Sequence, residues 1–340
     1  IESDAKSEVK CVVEQGGPLF SKKGLNLPNT KISKPSLSEK DHEDLQFALD
    51  QNVDWIGLSF VRTAEDVRVL KSIIAEREKH TKVIAKIEKP EAIEQIDDII
   101  RETDGVMVAR GDLGVELPLQ NVPLLQKMIV RKCLESAKPV IVATQMMESM
   151  ITNITPTRAE VADVANAVLD GADAVMLSGE TSVGKFPVEA IRMMSQIIFE
   201  AEKFGDLYYK EEAPGEVNED RFITDSICYS ACRLAKRAGA KAIVTMSFSG
   251  YTGYKIASWR PHTGIYVFTG NKRILTQMNL VWGVRAFYYD KMVSTDQTIS
   301  DIRYFLRKNN YIKDGEFIIH IASMPINEQG MTNMIKLSRV

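Results

Sequence analysis

The chain has 340 residues, with 43 basic and 46 acidic side chains mixed along it rather than gathered into a basic stripe, so nucleic acid is excluded as an expected partner. At 44% hydrophobic and 26% charged residues the composition is that of an ordinary globular protein, long enough for two or three domains. No apolar run approaches the roughly 18 to 20 residues that span a bilayer, Ile1 to Val9 lacks the apolar core of a signal peptide, and four cysteines are too few for a disulfide framework; a cytoplasmic protein with no membrane partner is expected.

The first residue is Ile1 rather than Met, and the opening reads as a strand over Val9 to Val13 followed by the turn-rich GGPLFSKKGLNLPN, so the chain is expected to start inside a domain. From Ser38 a regular alternation sets in. A Ser38/Asp41 capping pattern opens the helix SEKDHEDLQFAL, the strand WIGLSFV follows, and Thr63/Asp66 repeats the cap. Then come KVIAKI with PEAIEQIDDIIRE, GVMVA with VPLLQKMIVRKCLESA, PVIVA with TRAEVADVANAVLDG, and DAVMLS with PVEAIRMMSQIIFEAEKF. Strands this apolar throughout belong to a parallel sheet covered by helices.

A (β/α)₈ barrel and an open doubly wound sheet both satisfy the pattern; polar residues gathered where each strand ends favour the barrel. Five strands are present of the eight that a closed barrel needs, and a preceding segment is expected to supply the rest. The acidic stretch FGDLYYKEEAPGEVNED, over 204–220, reads as a linker. A second α/β domain follows, with strands AKAIVTM, GIYVF, VRAFYY and EFIIHIA and helices ITDSICYSACRLAKRA and ISDIRYFLRKN. Cys228 and Cys232, one helical turn apart, read as buried core thiols.

Alternation along a strand puts Lys86 and Glu88 on one face. Two such charges at the end of a buried strand are either a structural ion pair or a ligand site. The next strand runs into Arg110-Gly111-Asp112, at the corresponding height, and Glu88 and Asp112 together suit Mg²⁺ or Mn²⁺, which take oxygen ligands and leave positions for substrate. No Cys/His cluster favours zinc. Gly111 permits close backbone approach and the turn after it is expected to aim free N–H groups at an anion, unless Asp112 is only a helix cap. Thr144 and Gln145 reach the same rim, Thr144 as a water-relayed proton donor or as a turn cap. Gly179 to Lys185 nearly spells a P-loop, but Phe186 stands where a hydroxyl is required, so an ordinary rim loop is expected. In the second domain Ser247, Ser249, Gly250 and Thr252 open a helix, either as a phosphate pocket or as a Ser/Gly turn.

Taken together, VIAKIEKPEAI, VARGDLGVELP, IVATQMMESM, PTRAEVADVANAVLDGADAVMLSGET and GGPLFSKKGLNLP resemble the pyruvate kinase family over nearly the whole chain. The resemblance implies an α/β protein with the tail of an inserted lid domain at 1–33, strands four to eight of a (β/α)₈ barrel at 34–210 and a C-terminal regulatory domain at 211–340. It implies phosphoryl transfer from phosphoenolpyruvate to ADP, giving pyruvate and ATP. Lys86 would then neutralise charge on the moving phosphoryl group and the enolate oxygen, Glu88 and Asp112 would hold Mg²⁺ or Mn²⁺, the Gly111 and Asp112 backbone would bind the substrate carboxylate, and Thr144 would sit by the protonated carbon. Ser247, Ser249, Gly250 and Thr252 match a sugar-phosphate effector loop, with Tyr251 bulkier than the basic residue often found there. A homotetramer is implied, and a K⁺ site whose ligands fall in the preceding segment, so the isolated chain is expected to be inactive. The alternatives are an aldolase-like metal enzyme on the same barrel and a non-catalytic, effector-binding fragment.

Overall fold

The computed structural model describes residues 2–4, 8–14, 16–18, 21, 36–208, 221–291, 294–324 and 332–340. At the start, β1 (Glu2–Asp4) and β2 (Glu8–Lys10) pair antiparallel, so the strand read over Val9 to Val13 is shorter and begins earlier. Most of the stretch read as the tail of a lid lies outside the described residues, as does 209–220 of the linker.

The first domain alternates helix and strand: α1 (Glu39–Asp50), β3 (Trp55–Leu58), α2 (Ala64–Glu76), β4 (Lys82–Ile87), α3 (Pro90–Glu94), α4 (Ile96–Glu102) and β5 (Gly105–Ala109). It continues with α5 (Arg110–Glu116), α6 (Val122–Glu135), β6 (Val140–Ala143), α7 (Arg158–Asp170), β7 (Ala174–Met176), α8 (Gly179–Ser182) and α9 (Pro187–Ala201). Ser38, Thr63 and Thr157 each close a full capping box, with Asp41, Asp66 and Glu160 returning the bond to the cap backbone. The helix read as one piece from Pro90 to Glu102 is interrupted at Gln95.

The five strands pair in parallel and in chain order, β3-β4-β5-β6-β7, with no reversal. That order separates the two architectures left open above: a doubly wound sheet reverses direction at a switch point, whereas a singly wound barrel does not. Val83, Ile87, Val106, Val108, Val140 and Val142 pack outward against Leu70, Ile74, Ile99 and Ile129 of the helices. Each such side chain contributes about 1.5–3 kcal/mol when fully buried. Lys86 alternates with the wholly buried Ala85 and Ile87 and so faces the other side of the sheet.

The second domain runs α10 (Phe222–Ala238), β8 (Ala242–Met246), α11 (Tyr251–Ser258), β9 (Gly264–Thr269), α12 (Lys272–Gln277), β10 (Val284–Tyr288), α13 (Thr295–Lys308), β11 (Phe317–Ala322) and β12 (Met334–Arg339). Its sheet has the order β10-β9-β8-β11-β12, parallel except for the antiparallel edge strand β12, and reverses between β8 and β11. This domain is doubly wound, with apolar clusters on both faces of the sheet. Cys228 and Cys232 are buried in one of them, where burial pushes the Cys232 thiol up to about 12. Among the described residues no helix is long and apolar enough to cross a membrane.

The two domains are joined by polar contacts. Arg260, 1% exposed, pairs with Asp173 at 3.1 Å and donates to the Gly171 carbonyl at 2.6 Å. Trp282 donates its backbone N–H to Asp173 and its indole N–H to Glu202. Removing one partner of a buried pair leaves the other charge desolvated, at a cost of about 3–5 kcal/mol. Arg260→Met is therefore expected to separate the unfolding of the two domains into two calorimetric transitions, the lower below the wild-type midpoint.

His320, in β11, is 3% exposed and its Nε2 has no hydrogen-bond partner. Burial, aided by Arg303 and Lys336, lowers its pKa from 6.5 to about 4. Between those values the unfolded chain binds the proton and the folded one does not, so stability rises with pH. The contribution is complete above pH 6.5 and falls away toward pH 4. Urea titrations of wild type and His320→Gln should show the wild type losing the extra stability, on the order of 3 kcal/mol, as pH falls through that window.

Candidate active site at the carboxyl ends of the barrel strands

Parallel pairing sets Lys86 opposite Met107 and Ile87 opposite Val108, and Ala109 opposite Ala143, so the ends of β4, β5 and β6 open at one rim. Glu88 is the first residue beyond β4 and is 1% exposed. One of its oxygens is 2.8 Å from Lys86 Nζ, and the other accepts the Phe60 N–H at 2.6 Å. Lys86 also donates to Ser59 Oγ at 2.8 Å. The shared face read from alternation is thus present as an ion pair.

The end of β5 turns directly into α5, a helix that sequence periodicity did not reveal, placing Asp112 in its first turn, half-buried. Gly111 N–H donates to Thr144 Oγ1 at 2.7 Å, and Thr144 Oγ1 donates to the Ala143 carbonyl at 2.6 Å. The Gly111 N–H expected to be free for an anion is therefore satisfied by Thr144. A Cβ at Gly111 would lie 3.3 Å from that hydroxyl. Thr144 and Gln145 have φ of +67° and +53°, and Phe60 has +53°, a left-handed conformation that costs side chains such as these about 1–3 kcal/mol each. Beneath them Arg110, buried, pairs with Asp163 at 2.7 Å and donates to the Thr144 carbonyl at 2.8 Å.

The segment 179–186 folds as the short helix α8 and a tight turn: a Cβ at Gly184 would lie 2.4 Å from the Glu180 carbonyl. Buried Glu180 accepts the N–H groups of Met147 and Ser178, which ties this loop to the one after β6.

Sequence reasoning missed Ser59, Phe60 and Arg110. Their roles rest on contacts with residues about 27 to 53 positions away, which no local pattern carries. Lys89 is a fourth such residue: it pairs with Glu116 at 2.5 Å and lies over the Phe60 ring. Among the described residues no group of three or more His, Cys, Asp or Glu side chains comes together as a metal cage. The carboxylates of Glu88 and Asp112 are oxygen donors that fit a hard divalent cation whose remaining ligands are water and substrate.

In the second domain the loop after β8 enters α11 through Gly250, at φ +82°. Ser247 Oγ accepts the Gly250 N–H at 3.0 Å and Ser249 Oγ that of Tyr251 at 3.4 Å, while the Thr252 and Thr332 hydroxyls are 3.3 Å apart. Tyr251 donates to Asp225 at 2.8 Å beneath the Arg221 guanidinium, and burial, with that bond, pushes its phenol upward.

A singly wound parallel sheet with charged and strained residues collected at its carboxyl rim is the arrangement of (β/α) barrel proteins, whose active sites lie at that rim. Residues 1–191 match the pyruvate kinase barrel domain and residues 225–338 the pyruvate kinase alpha/beta domain. Pyruvate kinases of Corynebacterium efficiens (46% identical, covering 97% of this chain and 68% of theirs) and Mycobacterium tuberculosis (45%, 98% and 70%) are similar throughout. The crystal structure of a pyruvate kinase from Cryptosporidium parvum superposes with a TM-score of 0.85 at 36% identity, over 92% of this chain and 64% of that one. The chain belongs to the pyruvate kinase family.

The Lys86–Glu88 pair yields a stability test. Replacing Lys86 leaves a nearly inaccessible carboxylate with one N–H partner, at a cost of about 1–3 kcal/mol once discounted for the partial exposure of the lysine. Urea denaturation should show Lys86→Met destabilised and Lys86→Met/Glu88→Gln recovering most of the loss.

Proposed function

We propose that the chain acts as a pyruvate kinase, carrying the groups that move a phosphoryl group from phosphoenolpyruvate to ADP and then allow the enolate to take up a proton as pyruvate. The observation that supports this most is the convergence of Lys86, Glu88, Asp112 and Thr144 at one rim in a chain that matches the family through both domains. Phosphoryl transfer depends on positioning and charge stabilisation rather than on covalent catalysis. The Lys86 ammonium, held by Ser59 and Glu88, has the charge to meet the transferring phosphoryl group and the enolate oxygen left behind.

Glu88 and Asp112 would hold Mg²⁺ or Mn²⁺, which supplies charge neutralisation at substrate oxygens. The backbone of Gly111 and Asp112 would receive the substrate carboxylate, with the Gly111 N–H exchanging Thr144 for the anion. Thr144 stands next to that position, and its hydroxyl, already donating to a carbonyl, passes a proton only through water. K⁺ is a further expected cofactor.

The loop of Ser247, Ser249, Gly250 and Thr252 follows β8, at the reversal between β8 and β11, where open α/β sheets bind ligands beyond the strand ends. A sugar-phosphate effector there, a homotetrameric assembly and a cytoplasmic setting complete the proposal.

Pyruvate formation from phosphoenolpyruvate and ADP with Mg²⁺ and K⁺ tests it, using the chain and a form extended at the N-terminus to the length of its relatives. Lys86→Met should lower turnover by roughly 10²–10³-fold, and Glu88→Gln should raise the Mg²⁺ concentration needed for half-maximal rate. An extended form that binds metal yet makes no pyruvate would instead favour an aldolase-like enzyme.

A further inference from the structure

Lys82 opens β4 at its amino end, the far end of the strand from Lys86 and Glu88, and parallel pairing sets it beside Trp55 of β3. Its ammonium lies 5.4 Å from the centre of the Trp55 ring and 4.4 Å from that of Tyr254, in α11 of the second domain. Among the described residues those two rings are its only close partners; it has no carboxylate at ion-pair distance and no hydrogen-bond acceptor. The acid that acts on it, Asp104, is engaged elsewhere, pairing with Lys71 at 3.3 Å and accepting the Val83 N–H at 3.0 Å.

The groups around this nitrogen disfavour a cation. Burial lowers the Lys82 pKa; Asp104 opposes the effect, and Lys138 and Lys71 add to it. Lys138, just before β6, is itself half-buried, with a pKa lowered chiefly by burial, and donates to the Thr103 carbonyl at 2.6 Å. Tyr254 keeps a buried hydroxyl with no hydrogen-bond partner. Burial raises its pKa, and Asp104 and Asp173 raise it further, so the hydroxyl faces the amino rim of the first sheet, where those two acids stand. A buried donor left unpaired is costly, and it is satisfied by any acceptor placed within reach.

The nitrogen is also accessible. Lys82 lines a cleft of about 960 Å³ in the seam between the domains, whose other basic lining groups include Lys79, His80, Lys272 and Arg273. A lysine desolvated among other cations holds part of its population as the free amine, which is a nucleophile. The product that suits this position carries negative charge, because Lys71, Lys138 and the unpaired phenol all favour an anion. A neutral acyl group would leave those cations uncompensated.

We propose that Lys82 is a site of reversible carbamate formation with CO₂. The amine lone pair attacks the carbon of CO₂, a C–N bond forms as one C=O π pair moves onto oxygen, and the nitrogen gives its proton to solvent. The carbamate then sits among Lys71, Lys138 and the Tyr254 hydroxyl, which donates to it. The step needs no leaving group and no oxidant, and it reverses when the nitrogen regains a proton and CO₂ departs. It replaces a cation in the seam with an anion bonded across to the second domain, so the contact between the domains becomes responsive to CO₂.

Carbon-13 NMR of the chain equilibrated with labelled bicarbonate and CO₂ at mildly alkaline pH tests this, followed by trapping with triethyloxonium ion and peptide mass spectrometry. A carbamate resonance should appear, with the ethylated carbamate on the peptide that carries Lys82, a mapping made on the wild-type chain and independent of any variant. Lys82→Arg should remove both signals. Tyr254→Phe should weaken the apparent CO₂ affinity by about 10-fold or more, and Lys138→Met should weaken it too, each with an unchanged circular dichroism spectrum. Absence of the resonance, an adduct confined to the α-amino group or spread evenly over the lysines, a signal retained in Lys82→Arg, or unchanged affinity in Tyr254→Phe would overturn the proposal.

Discussion

Parallel pairing of β4, β5 and β6 holds three strand ends at one height, and the candidate site depends on that register. With Lys86 opposite Met107 and Ala109 opposite Ala143, the charges after β4, the glycine turn after β5 and the threonine after β6 meet without any long loop. Gly111 and Thr144 then bond directly across the gap, and Arg110 reaches under both to the Thr144 carbonyl and to Asp163. A slip of one residue in either ladder would turn every side chain to the other face and disperse the site.

The same register explains why strain is tolerated here. Phe60, Thr144 and Gln145 hold left-handed backbone conformations just beyond β3 and β6, where the strands leave the ladder. Their neighbours Ala143, Met146 and Met147 are wholly buried, so packing and the Arg110 and Glu180 bonds fix the turns in place. The charges are balanced in a comparable way. Both Glu88 oxygens are occupied by groups of the protein, Lys86 on one side and the Phe60 N–H on the other, so a cation or substrate arriving there exchanges partners rather than desolvating a free carboxylate.

Much of this was legible in the residues. Two capping boxes, Ser38/Asp41 and Thr63/Asp66, stood out as Ser or Thr followed three positions later by an acid, and the alternation in β4 already placed Lys86 and Glu88 together. The interruption at Gln95 was not legible, because the apolar spacing runs through it. Nor was β12: its sequence, MIKLSR, is half-exposed and polar, and becomes a strand only because β11 offers a free edge to pair antiparallel. Positive φ at Thr144 and Gln145 has no residue-type signal, since neither is glycine or asparagine.

Strand order also bears on how the chain acquires its structure. In the first domain every strand pairs with the one made next, so its sheet grows by successive short closures as the polypeptide lengthens. In the second domain the central strand β8 has β11 as a neighbour, pairing Ala242 with Ile318, and the middle of that sheet stays open until β11 has been made, about 75 residues later. During synthesis the strands of the first domain therefore assemble before the second domain, which closes onto a surface that is already formed.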